Sequence, residues 1–238
     1  MKILLIDACG AAASLALADS ARHAPAVFAQ SVLAERSAAA TLVPAVRDLL
    51  AGAKIELKDL DAIAVIHGPG SFTGVRIGVA AAKGLSEGTG KPVIAISRLA
   101  VLASLCPAER VHPVLDAGRG EFYVGSYRGM ECLHEELLTH EQLCALMGGA
   151  PGVVCVCEQR VAEALQGMTP CVVAEPVAAD AYALACAAYT AKTFADVAAL
   201  DANYLRRADA EMLEKQRAAH HPSEQKRSPG TPAQAKAK

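Results

Sequence analysis

The sequence predicts an α/β chain built from two tandem copies of one unit. Three observations carry this. The order strand-strand-strand-helix-strand-helix-strand-helix occurs twice, the turn after the first strand repeats ("LLIDACG", 4–10, against "PVLDAGRG", 113–120), and "PAERVH" (107–112) reads as the junction between the copies. At 238 residues the chain is long enough to bury two such cores.

In the first copy, "KILLID" (2–7), "SLALAD" (14–19) and "AVFAQSVL" (26–33) read as strands. A helix over 37–53 follows, with Leu42, Val46, Leu49 and Ala53 on one face and Val43 and Leu50 beside them. Pro44 fits that helix if Thr41 caps it and Pro44 lies in the first turn; otherwise it kinks a longer helix. "DAIAVI" (61–66) is a strand, "TGVRIGVAAAKGLSEGT" (73–89) a helix, "PVIAIS" (92–97) a strand and "RLAVLASLC" (98–106) a helix. The second copy has strands at 111–115, 121–127 and 131–137. Its helix from 140 starts with a capping box, Thr139 as cap and Gln142 reaching back. Strand 152–157, helix 159–166, strand 171–174 and an Ala-rich helix 180–194 complete it in shorter elements. The expected division is 1–106, a cut-down 107–213, and a tail 214–238 whose Lys, Pro, Gln and Ala content predicts disorder. Two similar α/β domains facing a cleft is the layout of the actin-like, Hsp70-like and sugar-kinase (ASKHA) fold.

With 53% hydrophobic residues, 20% charged residues and a formal net charge of −2, the chain has no general electrostatic hold on nucleic acid or an anionic membrane. Asp7 interrupts the N-terminal apolar run too early for a signal peptide, and no run approaches a membrane span, so a cytoplasmic location is expected. Eight cysteines are scattered without a C-x-x-C pair and read as reduced thiols; Cys155 and Cys157 alternate along one strand face.

The stretch "HGPGSFTGVRIG" (67–78) invites a phosphate-loop reading, which fails. The spacing is not G-x-x-x-x-G-K-[ST]. From Gly68 and Gly70 the next glycine, Gly74, comes one residue too late for G-x-G-x-x-G, and Pro69 lacks an N–H. Wound as a helix, Arg76, Ala80, Lys83 and Glu87 form a narrow stripe. Gly74, Gly78, Ala81 and Leu85 make one apolar or tiny face, and Val75, Val79 and Ala82 the next. Such a helix packs on two sides, its second neighbour being either the 37–53 helix or a helix of another chain. Seven histidines include no i, i+4 pair, His67 reads as a hydrogen-bonded turn residue, and Ser71 lacks a G-x-S-x-G elbow. Arg76, Lys83, Arg119, Arg206 and Arg207 are candidate phosphate contacts, read first as solvated surface; His220 and His221 fall in the tail.

"GPGSFTGVRIG", together with "LLIDACG", "LDAGRGEFY" (115–123) and "NYLRR" (203–207), resembles the TsaB (YeaZ) family over about residues 1–210. The resemblance implies an actin-like fold with a shortened second domain and a noncatalytic role in making threonylcarbamoyladenosine in tRNA. It implies pairing with a TsaD-type transferase through the helices 37–53 and 72–89, a TsaE-type ATPase joining that pair, and possible homodimers through the same surface. The residues so implied at the partner interface are Leu42, Val46, Leu49, Gly74, Val75, Gly78, Val79, Ala81 and Ala82. No cofactor of its own is expected; ATP and metal belong to the partner subunits, and tRNA is met only within the complex. The first hairpin, usually Asp-Thr-Ser, here reads Asp7-Ala8-Cys9, and Gly118 stands where the second usually has Arg. Asp7 and Asp116 are thus at most remnants of nucleotide hairpins, or simply turn residues. The competing expectation is a stand-alone ATPase or phosphotransferase of the same fold.

Overall fold

In the first sheet of the computed structural model, β1 (Lys2–Asp7) lies between β2 (Ser14–Asp19) and β4 (Ala62–Ile66), with β3 (Val27–Val32) and β5 (Val93–Ile96) at the edges. The structure describes residues 1–22, 26–34, 37–149 and 151–205. The second sheet joins β6 (Arg110–Gly118), β7 (Glu121–Arg128), β8 (Glu131–Thr139), β9 (Val153–Val156) and β10 (Cys171–Val172). The two orders, β3-β2-β1-β4-β5 and β8-β7-β6-β9-β10, are the same order. In each, three strands meander antiparallel and two more run parallel to the first. The duplication read from the sequence is therefore present strand for strand, and the fold is the expected duplicated α/β architecture of the actin-like class.

Parallel pairing requires crossovers, which the helices supply. In the first half these are α1 (Ala38–Ala53) and α2 (Phe72–Thr89); in the second, the shorter α4 (His140–Gly149) and α5 (Gln159–Ala164). Thr139 and Gln142 form the expected capping box, at 2.9 and 3.3 Å. Of the two starts left open for the first helix, the longer one is found. Ser37, not Thr41, precedes α1; Thr41 Oγ1 donates to the Ser37 carbonyl at 2.9 Å, and Pro44 lies within the helix on its exposed side.

The last helices of the two halves are exchanged. The short helix that ends the first half, α3 (Arg98–Ser104), buries Leu99, Leu102 and Ala103 in one cluster with Val111, Leu115, Tyr127 and Cys155 of the second sheet. Cys157 packs at the margin of the same cluster, just beyond β9. In return, α6 (Tyr182–Thr190) and the 3-10 turn before it (Ala178–Ala181) place Ala178, Ala181 and Ala185 in the core of the first sheet. The Ala178 N–H donates to Ser14 Oγ at 2.8 Å and the Ala195 N–H to the Val93 carbonyl at 2.8 Å. Alanines suit this place because they let the helix approach a sheet face lined by Ala16 and Ala18. Among the described residues, no helix is long and apolar enough to cross a membrane. His23, Arg206, Arg207, His220, His221 and the tail 214–238 lie outside the described residues.

Candidate functional site

The glycine loop is held from three directions. The Ser71 N–H donates to the Cys9 carbonyl at 2.9 Å, the Arg98 N–H to the Gly68 carbonyl at 2.7 Å, and the Asn203 N–H to the His67 carbonyl at 2.6 Å. Gly68 has φ +107°, a conformation that side chains resist, and a Cβ there would sit 3.3 Å from the Asn203 carbonyl. At Gly70 a Cβ would meet the Cys9 carbonyl oxygen at 2.5 Å, and at Gly74 it would overlap the Ala8 carbonyl. Ser71 caps α2, its Oγ accepting from the Gly74 N–H at 3.2 Å. The glycines therefore bring three backbone segments together. His67 is the turn residue expected, with Nδ1 3.4 Å from the Asp201 carbonyl. Burial pushes its pKa below the usual value, opposed by the Asp201 carbonyl and the charge of Glu135.

Seven of the nine residues expected on a partner surface do not face outward. Leu42 and Val46 of α1, and Gly74, Val75, Gly78, Val79 and Ala82 of α2, are buried against the chain's own first sheet. The physical reason is the closeness of α2 to the strands: a Cβ on Gly78 would touch Ala8 at 3.5 Å and Val65 at 3.7 Å. Leu49 and Ala81 are half-buried. Outward instead lie Val43 on α1 and Arg76, Ala80, Gly84, Glu87 and Gly88 on α2, with Ile77, Ala81 and Leu85 at the margins.

A cleft of about 890 Å³ opens where the turns after β1 and β6 face each other, lined among others by Cys9, Gly10, Ser71, Asp116 and Glu158. The two turns match: the Cys9 N–H donates to Asp7 Oδ1 at 2.8 Å and the Gly118 N–H to Asp116 Oδ1 at 2.7 Å. Asp7 is buried beneath the cleft, where burial raises its pKa and the Arg98 guanidinium holds it part of the way back. The Cys9 thiol, pushed well up by burial and by Asp7, donates to the Ile66 carbonyl at 3.1 Å. Arg98 reaches across to Glu175 at 2.8 Å, and Glu175 also accepts from the Ala11 N–H at 3.1 Å. On the other wall Arg160 pairs with Asp116 at 3.0 Å and Glu158 at 3.2 Å. Arg98 on one wall and Arg160 on the other thus each meet carboxylates of the same chain. Among the described residues, no group of three or more His, Cys, Asp or Glu is arranged to hold a metal ion.

Comparison with known proteins bears on this arrangement. A family model described as TsaD, tRNA N6-adenosine threonylcarbamoyltransferase, matches residues 31–212. The tRNA threonylcarbamoyladenosine biosynthesis protein TsaB of Escherichia coli K12 is 38% identical over 132 residues, 54% of this chain and 55% of that one. The protein of the same name in Haemophilus influenzae is 41% identical over 95 residues, 38% of this chain and 40% of that one. The matches thus span about half the length of these curated relatives. The solved structure of YeaZ from Pseudomonas aeruginosa superposes with a TM-score of 0.71 at 30% identity, covering 86% of this chain and all of that one. The chain belongs to the TsaB (YeaZ) family.

Within this TsaB-family chain, the last recognisable motif has a structural place. Asn203 of "NYLRR" donates through Nδ2 to Glu135 at 3.0 Å, and the same carboxylate accepts from Ser97 Oγ and Tyr127 OH. The Tyr204 ring packs tilted against Phe72, centroids 5.8 Å apart, with the Arg76 guanidinium 3.6 Å over the Phe72 ring. Lys83 Nζ donates to the carbonyls of Ala198 (3.3 Å) and Leu200 (3.0 Å). Both basic residues of α2 are therefore engaged with their own chain. Sequence reasoning missed Glu135, Arg98 and Glu175; each acts through partners at least 38 residues away in the network just described, Tyr127 excepted. The "LLID" turn beside Arg98 and Glu175 and the "NYLRR" motif beside Glu135 were the local signals near them.

Proposed function

We propose that this chain is a noncatalytic subunit in the synthesis of threonylcarbamoyladenosine in tRNA, pairing with a TsaD-type transferase through the outward faces of α1 and α2. A TsaE-type ATPase joins that pair, ATP and metal are held by the partner subunits, and tRNA is met in the complex. Alone, the same faces make a homodimer.

The observation that carries the reading is a pair of glycines. α2 holds four, and glycine within a helix costs about 1 kcal/mol relative to alanine. Gly74 and Gly78 are accounted for by their approach to the chain's own strands, whereas a Cβ on Gly84 or Gly88 would have nothing within 4 Å. With Ala80, they leave an exposed flank on which another helix can lie close. The pairing of the cleft arginines with the chain's own carboxylates supports the noncatalytic half of the reading, as do Ala8 and Cys9 in place of hydroxyls.

The test is a drop-out reconstitution. Purified TsaD, TsaE and threonylcarbamoyl-adenylate synthase from the same source receive tRNA, threonine, bicarbonate and ATP, with and without this chain, and with Gly84→Leu. Modified adenosine is expected with the native chain alone, the variant remaining folded but failing to associate. Equal modification without the chain would refute the reading.

A further inference from the structure

Cysteines gather where the end of α3 meets the edge of the second sheet. Cys106, Cys155 and Cys171 belong to one cluster, packed with Leu102, Val111 and Leu115. Cys155 of β9 stands directly opposite Cys171 of β10 on neighbouring parallel strands, so both side chains lie on one face of the sheet. Cys106, just past α3, reaches the same cluster from the helix side. Burial raises the pKa of its thiol, and the Cys171 thiol beside it raises it further, while Cys155 acts the other way. The Cys155 thiol donates to the Leu102 carbonyl at 3.6 Å.

Access separates the three. Cys155 is 0% exposed and Cys106 7%, whereas Cys171 is half-buried on the edge strand of its sheet. A reagent from solvent therefore meets Cys171 first, with Cys106 as the neighbour that can close on it. The backbone holds both in place. The Cys106 N–H donates to the Ala103 carbonyl at 3.1 Å, and its carbonyl accepts from the Ala108 N–H at 2.9 Å. Just beyond Cys171, the Val173 N–H donates to the Val156 carbonyl at 2.9 Å. Cys132 and Cys144, the exposed thiols, stand elsewhere, on β8 and α4.

We propose that Cys171 and Cys106 form a redox-responsive pair, in which a hydroperoxide oxidises Cys171 and Cys106 closes the product into an intrachain disulfide. In the first step the Cys171 sulfur attacks one peroxide oxygen. An S–O bond forms, the O–O bond breaks, and the other oxygen leaves as water or an alcohol with the thiol proton, giving a sulfenic acid. In the second step the Cys106 sulfur attacks the Cys171 sulfur. The S–S bond forms, the S–O bond breaks, and water leaves with the Cys106 proton; the thiol pair is oxidised and the hydroperoxide reduced. The bridge ties the end of the exchanged helix α3 to β10, and a dithiol reductant reopens it. Cys155 stays a thiol, buried against Leu102. This inference is independent of how the chain meets a partner protein.

The test treats the full chain with hydrogen peroxide, blocks the remaining thiols and digests it with trypsin without reduction. Cleavage after Lys and Arg leaves Cys106, Cys155 and Cys171 on three different peptides. The expected product, from chains that run as monomers on a non-reducing gel, joins peptide 99–110 to peptide 161–192, with fragmentation placing the link on Cys171 rather than Cys186. Dithiothreitol should release it and Cys171→Ser should abolish it. In Cys106→Ala, dimedone should trap a sulfenic acid at Cys171. The proposal is overturned if these peptides stay separate at a peroxide concentration that fully oxidises Cys132 and Cys144. It is equally overturned if Cys106 links to the peptide carrying Cys155, if the link survives in Cys171→Ser, or if it is found only in disulfide-joined dimers. Should either variant not fold, the linked peptide of the native chain decides alone.

Discussion

Asn203 closes the glycine loop: its backbone N–H donates to the carbonyl of His67 at 2.6 Å while its side chain holds Glu135 at 3.0 Å. One residue near the end of the described chain thus ties the strand end of the first sheet to β8 of the second. Asn203→Ala is expected to cost about 1–2 kcal/mol, since a hydrogen bond to a charged group is lost while the backbone contact remains. In a unit of this size the melting temperature should fall by about 2–8 °C, read by thermal denaturation. An unchanged transition would show that the side-chain bond contributes nothing.

The glycines of α2 should respond in opposite directions. Gly74→Ala pushes a Cβ into the Ala8 carbonyl and should destabilise the monomer by about 3 kcal/mol, as overpacking does. Gly84→Ala meets nothing within 4 Å and should stabilise it by up to about 1 kcal/mol. Denaturant titration of the two variants checks the signs. Gly78→Leu belongs with the first, because its side chain would enter the space between Ala8 and Val65 and damage the fold itself.

Removing Arg98 should be costly. Arg98→Met leaves Asp7 buried without its compensating charge, a loss of about 3–5 kcal/mol at neutral pH. The penalty should shrink in acid as Asp7 takes up a proton, so the stability difference from the native chain narrows as pH falls. A pH-independent difference would show that the guanidinium acts only by packing.

His67 predicts a pH dependence. Its folded pKa lies below the usual value near 6.5, so below that pH the unfolded chain binds more protons. The stability it confers is fully present above about pH 6.5 and is lost as pH falls towards the folded pKa. His67→Asn should flatten the stability profile in that window, measured by urea midpoints between about pH 7 and 5.

The order of elements along the chain was legible because it is local: each strand's alternation and each Gly- or Asp-bearing turn lies within a few residues, and the turns at Asp7 and Asp116 announce the repeat. Which face of α2 meets the sheet was not. Gly74, Gly78, Val79 and Ala82 on one side and Ala80, Ala81 and Gly84 on the other are all small or apolar, so periodicity does not rank them. Only the space around each Cβ separates inward glycines from outward ones. Glu135, Arg98 and Glu175 were invisible for a different reason. A charged residue between apolar ones reads as surface until its partner from a remote segment is placed beside it.

The exchange of terminal helices sets the timing of folding on the ribosome. The first sheet emerges early, yet Ala178, Ala181, Ala185 and Ala202, which complete its core, are among the last described residues to be synthesised. The nascent chain must therefore carry an open apolar sheet face for most of its translation, and assembly cannot proceed one half after the other as in chains of independent domains.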